Sequence, residues 1–235
     1  MWKKFFTLFL FILFSTTASS YPILEWELIE TKEGSKQKAS SLIINGTFSK
    51  GLKGWNFVSN PQLPSGYNKV YIQNGAVIIH SHCAGNGGEG YLYQDFPFTM
   101  PHYFKVDYDE LQGNTCESIF VALTKGSGPF DFSSVVFLYR VGGQDIAPNY
   151  AYSYFCGQVY KHAINDHSYE HGTVELRFQY EKMAAELIIN GRLEITFKIP
   201  SIERVKVNRV LVGAINNCCD GRNDAIGRFD NIVLY

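Results

Sequence analysis

Three sets of side chains in this 235-residue chain could do chemistry. The first is acidic. Asp220, Asp224 and Asp230 lie in or beside the segment CCDGRNDAIGRFD. Calcium takes six to eight oxygens from carboxylates and carbonyls, so these three acids are candidate ligands for a structural calcium. Asp-Gly and Asn-Asp pairs are also turn formers, and an ordinary polar loop explains them as well. The second set is histidine. His80 and His82 are two residues apart and would point the same way on a strand, where they could share a metal or simply line a solvated edge. The third set is aromatic. Trp55, Tyr67, Tyr71, Tyr91 and Tyr93 offer flat faces on which a sugar ring could stack. Asn68, Gln73 and Gln94 stand near for its hydroxyls. The competing reading places Trp55 in a core and the tyrosines in half-buried cross-strand pairs.

Five cysteines, Cys83, Cys116, Cys156, Cys218 and Cys219, have no C-x-x-C spacing that would suit zinc. Disulfides are expected of them in an oxidising compartment, with one thiol left over because the number is odd. Cys218 and Cys219, as chain neighbours, more readily reach two different partners than each other. Asn45-Gly46-Thr47 is a glycosylation sequon, although Asn45 could instead be needed by a turn.

The compartment is set by the first residues. Lys3-Lys4 precede an apolar run from Phe5 to Phe14, and Ser15 to Ser20 are small or polar. This is the order of a secretory signal peptide over residues 1–20, with a retained anchor as the alternative. The apolar run is too short to span a bilayer, which takes about 20 residues. Without the leader's two lysines the chain carries 19 basic and 22 acidic residues. That balance lacks the basic face a nucleic-acid partner requires. No membrane contact is expected after leader cleavage.

The elements that would hold these groups are strands. Residues 21–41 read as an N-terminal strand, YPILEWELIE, followed by a polar loop. Leu42-Ile43-Ile44 reads as a further strand ending at Asn45-Gly46. Lys69 to His80 reads as a hairpin turning at Asn74-Gly75, and Glu186 to Ile199 as another turning at Asn190-Gly191. Val174, Leu176, Phe178 and Tyr180 alternate with polar residues. About a dozen short strands and no long helix predict an all-β sandwich over residues 42–235.

Several stretches resemble a known family. Asn45-Gly46-Thr47-Phe48 with Gly51-Leu52-Lys53-Gly54-Trp55, and the closing Phe229-Asp230-Asn231-Ile232-Val233-Leu234-Tyr235, are similar to the two ends of carbohydrate-binding jelly-roll modules. The stretch Val174 to Arg192 resembles a hairpin of the concanavalin A-like lectin/glucanase (laminin-G-like) superfamily. The resemblance implies a jelly roll of two antiparallel sheets whose last strand lies beside the first. It also implies a structural calcium near the closing Asp230, although Ser49 stands where an acid is usual. Glucanases of this fold carry acids alternating along one strand so that two carboxylates flank the bond. The nearest run here, Asp107-Tyr108-Asp109-Glu110, lacks the first Glu and the spacing. No G-x-S-x-G, H-E-x-x-H or phosphate loop is present. The expectation is a secreted, non-catalytic, lectin-like carbohydrate binder whose partner is a glycan. The alternative is a structural or adhesive protein that uses the sandwich against an extracellular protein surface.

Overall fold

The computed structural model describes residues 40–59, 68–82, 88–112, 117–142, 150–163, 169–216 and 224–235. The leader, the strand expected at 21–30, Tyr67, Cys83, Cys116, Cys218, Cys219 and Asp220 lie outside them.

Among the described residues, fourteen strands make an all-β jelly-roll sandwich. They are β1 (Asn56–Ser59), β2 (Lys69–Gln73), β3 (Ala76–His82), β4 (Gly88–Thr99), β5 (Tyr103–Gln112), β6 (Glu117–Thr124) and β7 (Val135–Gly142). There follow β8 (Tyr150–Phe155), β9 (Gln158–Ala163), β10 (His171–Gln179), β11 (Ala184–Ile189), β12 (Arg192–Lys198), β13 (Val207–Asn216) and β14 (Asp224–Leu234). Among the described residues, helix is limited to a 3-10 turn at Tyr180–Lys182 and one turn at Ile202–Val205. Sheet A has the order β1-β4-β13-β6-β7-β8-β9, and sheet B the order β12-β11-β10-β5-β14-β3-β2. All pairings are antiparallel.

Both expected Asn-Gly hairpins form. Asn74 and Asn190 have φ of 52°, and Gly75 and Gly191 have φ of 78°. Positive φ at both central residues matches strand twist and is tolerated by Asn and Gly. Between the sheets, Val77, Ile79, Phe104, Val106, Leu123, Phe137, Leu176, Phe178, Val210, Val212 and Phe229 form the main core. They come from alternate positions of their strands, as period-2 patterning requires.

The stretch 42–46 is not the strand its apolar run suggests. It is a bend and turn, with left-handed φ at Asn45 (56°) and Phe48 (50°). It still lies beside the closing strand: Leu42 N donates to Leu234 O, and Ile232 N donates to Gly46 O. A Cβ at Gly46 would sit 2.0 Å from Ile232 O, so only glycine permits the approach. Buried Gln94 completes the junction. Its amide accepts from Ile44 N and donates to the carbonyls of Ile44 and Gly54.

Candidate functional site

The outer faces of the two sheets are the surfaces on which a site can be built, and they differ. On sheet A, antiparallel register sets outward side chains in rows across the strands. One row runs Val58, Tyr91, Gly213, Phe120, Arg140, Tyr152 and Lys161. The neighbouring row runs Asn56, Tyr93, Leu211, Ala122, Leu138, Tyr154 and Val159. This face therefore carries a second apolar cluster, separate from the main core, containing Tyr91, Phe120, Ala122, Val135, Leu138 and Leu211.

The centre of the face is covered. The connection between β6 and β7, residues 125–134, folds across it. Phe130 packs on Phe120 with centroids 5.4 Å apart, and Phe132 lies 5.1 Å from the Tyr154 ring. Tyr154 Oη donates to Phe132 O. Tyr91 lies under this cover, edge-on to Phe120 and close to Gly128. Gly213 makes room for both rings, since a Cβ there would come within 2.5 Å of Tyr91 and 2.6 Å of Phe120. Tyr93 is half-buried, and the Arg209 guanidinium lies over its ring at 4.1 Å. Arg209 also forms a two-point pair with Asp95, at 2.6 and 2.9 Å.

Beyond the cover, towards the β8 and β9 edge, the face stays open. Tyr152 and Tyr154 are partly exposed, and Phe132 is 47% exposed. Arg140 stands beside Tyr152 at 6.0 Å, and its Nε donates to Ser118 Oγ. Lys161 stands opposite Tyr152 on β9. Tyr152 and Tyr154 were absent from the sequence candidates. Their signal was nonetheless present, because Tyr150-Ala151-Tyr152-Ser153-Tyr154 alternates aromatic and small residues, the period of a strand with one aromatic face.

Sheet B presents charge. A cavity of about 290 Å³ lies over its three central strands, lined by Asp107, Asp109, His171, Thr173, Arg228 and Asp230. The acidic run noted in the sequence is thus divided by strand alternation. Asp107 and Asp109 face the cavity, while Tyr108 and Glu110 turn inwards. Asp107 accepts from Thr173 Oγ1 and Asn231 Nδ2, and Asp230 accepts from Asn231 N. Partial burial, with Asp107 nearby, pushes the Asp230 carboxyl up.

The four described candidates for sugar stacking do not form one surface. Trp55 belongs to the main core: it is 8% exposed, packs on Phe48 at 5.4 Å and donates Nε1 to Asn45 O. Its ring has no free face, which corrects its assignment to a sugar site. Tyr91 is closed beneath the 125–134 connection, a second correction. Tyr71, 45% exposed, sits on β2 at the edge of the other sheet. Tyr93 alone of the four described candidates lies half-open on the aromatic face.

The two described calcium candidates separate as well. Asp224 and Asp230 stand at opposite ends of β14, six residues or about 20 Å apart on an extended strand, so they cannot ligate one ion. Asp224 is engaged by His80 Nε2 at 2.7 Å and by His82 Nδ1. Burial would raise its carboxyl, but the hydrogen bonds from His82 and His80 hold it below the usual range. Among the described residues, no group of three or more His, Cys, Asp or Glu is disposed to hold a metal ion. Asn45, the sequon residue, uses its Nδ2 on the carbonyls of Gly51 and Lys53 and its Oδ1 on Lys50 N. Cys156 is a free thiol, and burial pushes it up to about 11.

One buried cluster has the composition of a nucleophilic triad. Ser153 Oγ lies 2.8 Å from His162 Nε2, and His162 Nδ1 lies 3.6 Å from Glu194 Oε2. Ser153 and His162 are fully buried between β8, β9 and β12, so no substrate reaches them. The cluster joins the adjoining edges of the two sheets.

With this geometry in view, the comparisons with known proteins agree on the fold. No protein-family model matches the chain, and no curated protein matches it. Solved structures do. The carbohydrate recognition domain of Emp46p in its potassium-bound form superposes with a TM-score of 0.51 at 12% identity, covering 81% of this chain and 95% of that one. The Bacillus licheniformis beta-glucanase gives 0.54 at 12% identity, covering 80% and 95%. A sialidase gives 0.55 at 10% identity over 80% of this chain, which spans only 18% of the sialidase. The protein has the concanavalin A-like jelly-roll fold. Among the solved structures with this fold are a carbohydrate recognition domain and glycoside hydrolases.

Proposed function

We propose that the chain is a secreted, non-catalytic, lectin-like protein that binds a glycan on the open half of the sheet A face. The observation that carries this reading is the pair Tyr152 and Tyr154, two partly exposed rings on one strand beside Arg140 and Lys161. A ring face accepts the apolar face of a sugar, and the phenol and cationic groups at its rim serve hydroxyls. A hydrolytic site needs two carboxylates about 5–9.5 Å apart. On the described outer face of sheet A the strand acids are Glu89 and Asp95, six residues apart on β4, and Asp95 is held by Arg209. The apolar cover on the centre of the face supports a site of limited extent.

A glycan array with Tyr152→Ala and Tyr154→Ala tests the placement. Each change is expected to weaken the best hit about tenfold, the scale of one aromatic contact. Binding that survives both changes would refute the site. Secretion is tested by expressing the full chain with its leader and sequencing the mature N-terminus, expected near Tyr21.

The adhesive alternative has its own observation. The edge strands β9 and β12 carry Val159 and Leu193, 62% and 54% exposed. Self-association in sedimentation, abolished by Val159→Lys and Leu193→Lys, would favour assembly.

A further inference from the structure

The structure describes the pairs Asn45-Gly46, Asn74-Gly75 and Asn190-Gly191 and holds them differently; a further pair, Asn86-Gly87, lies outside the described residues. An Asn-Gly pair can lose its side-chain amide without a catalyst. The glycine nitrogen attacks the asparagine Cγ, and the missing Cβ leaves the approach open. The carboxamide must first swing towards the next residue, so whatever holds it slows the reaction. Asn45 is held. Its Nδ2 donates to the carbonyls of Gly51 and Lys53, its Oδ1 accepts from Lys50 N, and Gly46 is buried against Ile232. Asn190 is held too. Its Oδ1 accepts from Thr173 N at 2.8 Å, its Nδ2 donates to His171 O at 3.2 Å, and its carboxamide fills the space beside Gly172. Asn74 is exposed, as is Gly75, and no described residue hydrogen-bonds its side chain. Asn74 and Asn190 share a φ of 52°, and their glycines share 78°, so the side-chain hydrogen bonds separate them and the turn geometry does not. The Asn74 turn also sits beside an edge strand, β2, which is exposed apart from Val70.

We propose that Asn74 is a site of spontaneous deamidation, and that its isoaspartyl product loosens β2 from β3. Gly75 N forms a bond to Asn74 Cγ, the Cγ–Nδ2 bond breaks, and ammonia leaves with the proton from Gly75 N. Water then opens the cyclic imide at either carbonyl. One opening gives aspartate, which a turn of this type tolerates at positive φ. The other gives isoaspartate, which routes the main chain through the former side chain and lengthens the turn by a carbon. A two-residue turn sets the register of its hairpin, so the longer turn mispairs the strands. Val77 and Ile79 fix β3 in the main core, whereas β2 packs only Val70 against it. The strand that gives is therefore β2. This site lies on sheet B and does not depend on the glycan reading.

The test keeps the full chain folded at mildly alkaline pH and follows amide loss at each asparagine by peptide mass spectrometry. Electron-transfer fragmentation tells isoaspartate from aspartate. Loss at Asn74 is expected to be about tenfold or more faster than at Asn45 and Asn190, whose hydrogen bonds must break first. In urea the three rates should converge. Equal rates in the folded chain, or a difference that persists in urea, would overturn the assignment. Hydrogen exchange then reads β2. Its protection should fall in aged protein rich in isoaspartate, and hold in equally aged Asn74→Ser and in fresh Asn74→Asp. Protection that is unchanged in the isoaspartyl protein, or lost alike in aged Asn74→Ser, would overturn the loosening of β2.

Discussion

The two sheets bury the same kind of inner face and treat their outer faces in opposite ways. Outside sheet B the side chains pair by charge. Lys105 stands opposite Glu175, Asp109 opposite Arg228, and Arg177 opposite Glu186. Arg177 also reaches Glu175 at 2.9 Å. Such a face is wetted, and its cross-strand pairs each contribute only a fraction of a kcal/mol. Outside sheet A, Phe120, Ala122, Leu138 and Leu211 are as buried as the core itself, because residues 125–134 lie over them. The difference teaches where to look for a ligand. A sheet that buries both faces at its centre has one aromatic stretch left uncovered at its edge, and that stretch needs an explanation. A charged sheet with its cavity needs none beyond solvation and pairing.

The sharpest way to break this contrast is to truncate each face. Phe120→Ala removes a fully buried ring from outside sheet A and should cost about 3–5 kcal/mol. Glu175→Ala, outside sheet B, should cost less than about 1 kcal/mol. Urea unfolding of the two variants compares them directly. Equal losses would mean that the 125–134 connection seals nothing.

A second comparison uses two neighbours on β5. Asp109 faces water, while Glu110 points inwards towards Gly142 of sheet A. Burial first, then the nearby charges of Glu170, Glu117 and Asp109, push the Glu110 carboxyl up to about 8. Its folded value is above its unfolded one. It therefore imposes no penalty below about pH 4.5 and costs stability as pH rises from there towards 8. Glu110→Gln should leave stability near pH 4.5 little changed and raise it by on the order of 3 kcal/mol above pH 8. His162 acts in the other direction. Burial lowers it against the pull of Glu194, so below about pH 6.5 the unfolded chain takes up a proton that the folded chain resists, and stability falls.

Much of the fold was legible because its signals are local. Asn-Gly turns and the alternation of β10 follow from positive φ and strand period, and both appear in the structure where the residues place them. The apolar run 42–44 misled because composition does not register a close backbone approach. Gly46 lies against Ile232, and left-handed φ at Asn45 turns the chain there. Trp55 and Tyr91 misled for a related reason. An aromatic residue does not announce whether a distant segment covers it, and Tyr91 is covered by residues about 40 positions further on. One clue to that cover was readable. Strands β6 and β7 are nearly continuous apolar runs, SIFVAL and VVFLY, rather than alternating ones, which is the pattern of a strand buried on both faces. The acidic cavity could not be read as a site either, since Asp230 joins Asp107 and Asp109 only through the pairing of β14 with β5.

The smallest expected effect sharpens the boundary within the aromatic face itself. Arg209 covers one side of Tyr93 and is held there by Asp95, in a pair exposed at its acidic end. A two-point pair of this kind, together with its contact on the ring, contributes no more than about 1 kcal/mol at a surface. Arg209→Ala should therefore lower stability only slightly while uncovering the Tyr93 ring. If the glycan occupies only the stretch around Tyr152 and Tyr154, its affinity should stay within twofold. Tyr93 lies four strands from β8, about 19 Å away, so a short oligosaccharide cannot touch both. A polymer long enough to cross the sheet could gain a second stacking ring. Titrating Arg209→Ala with a disaccharide and with the parent polymer separates the two cases. A gain seen with the disaccharide would place the binding ring at Tyr93 and move the site to the β4 side of the face.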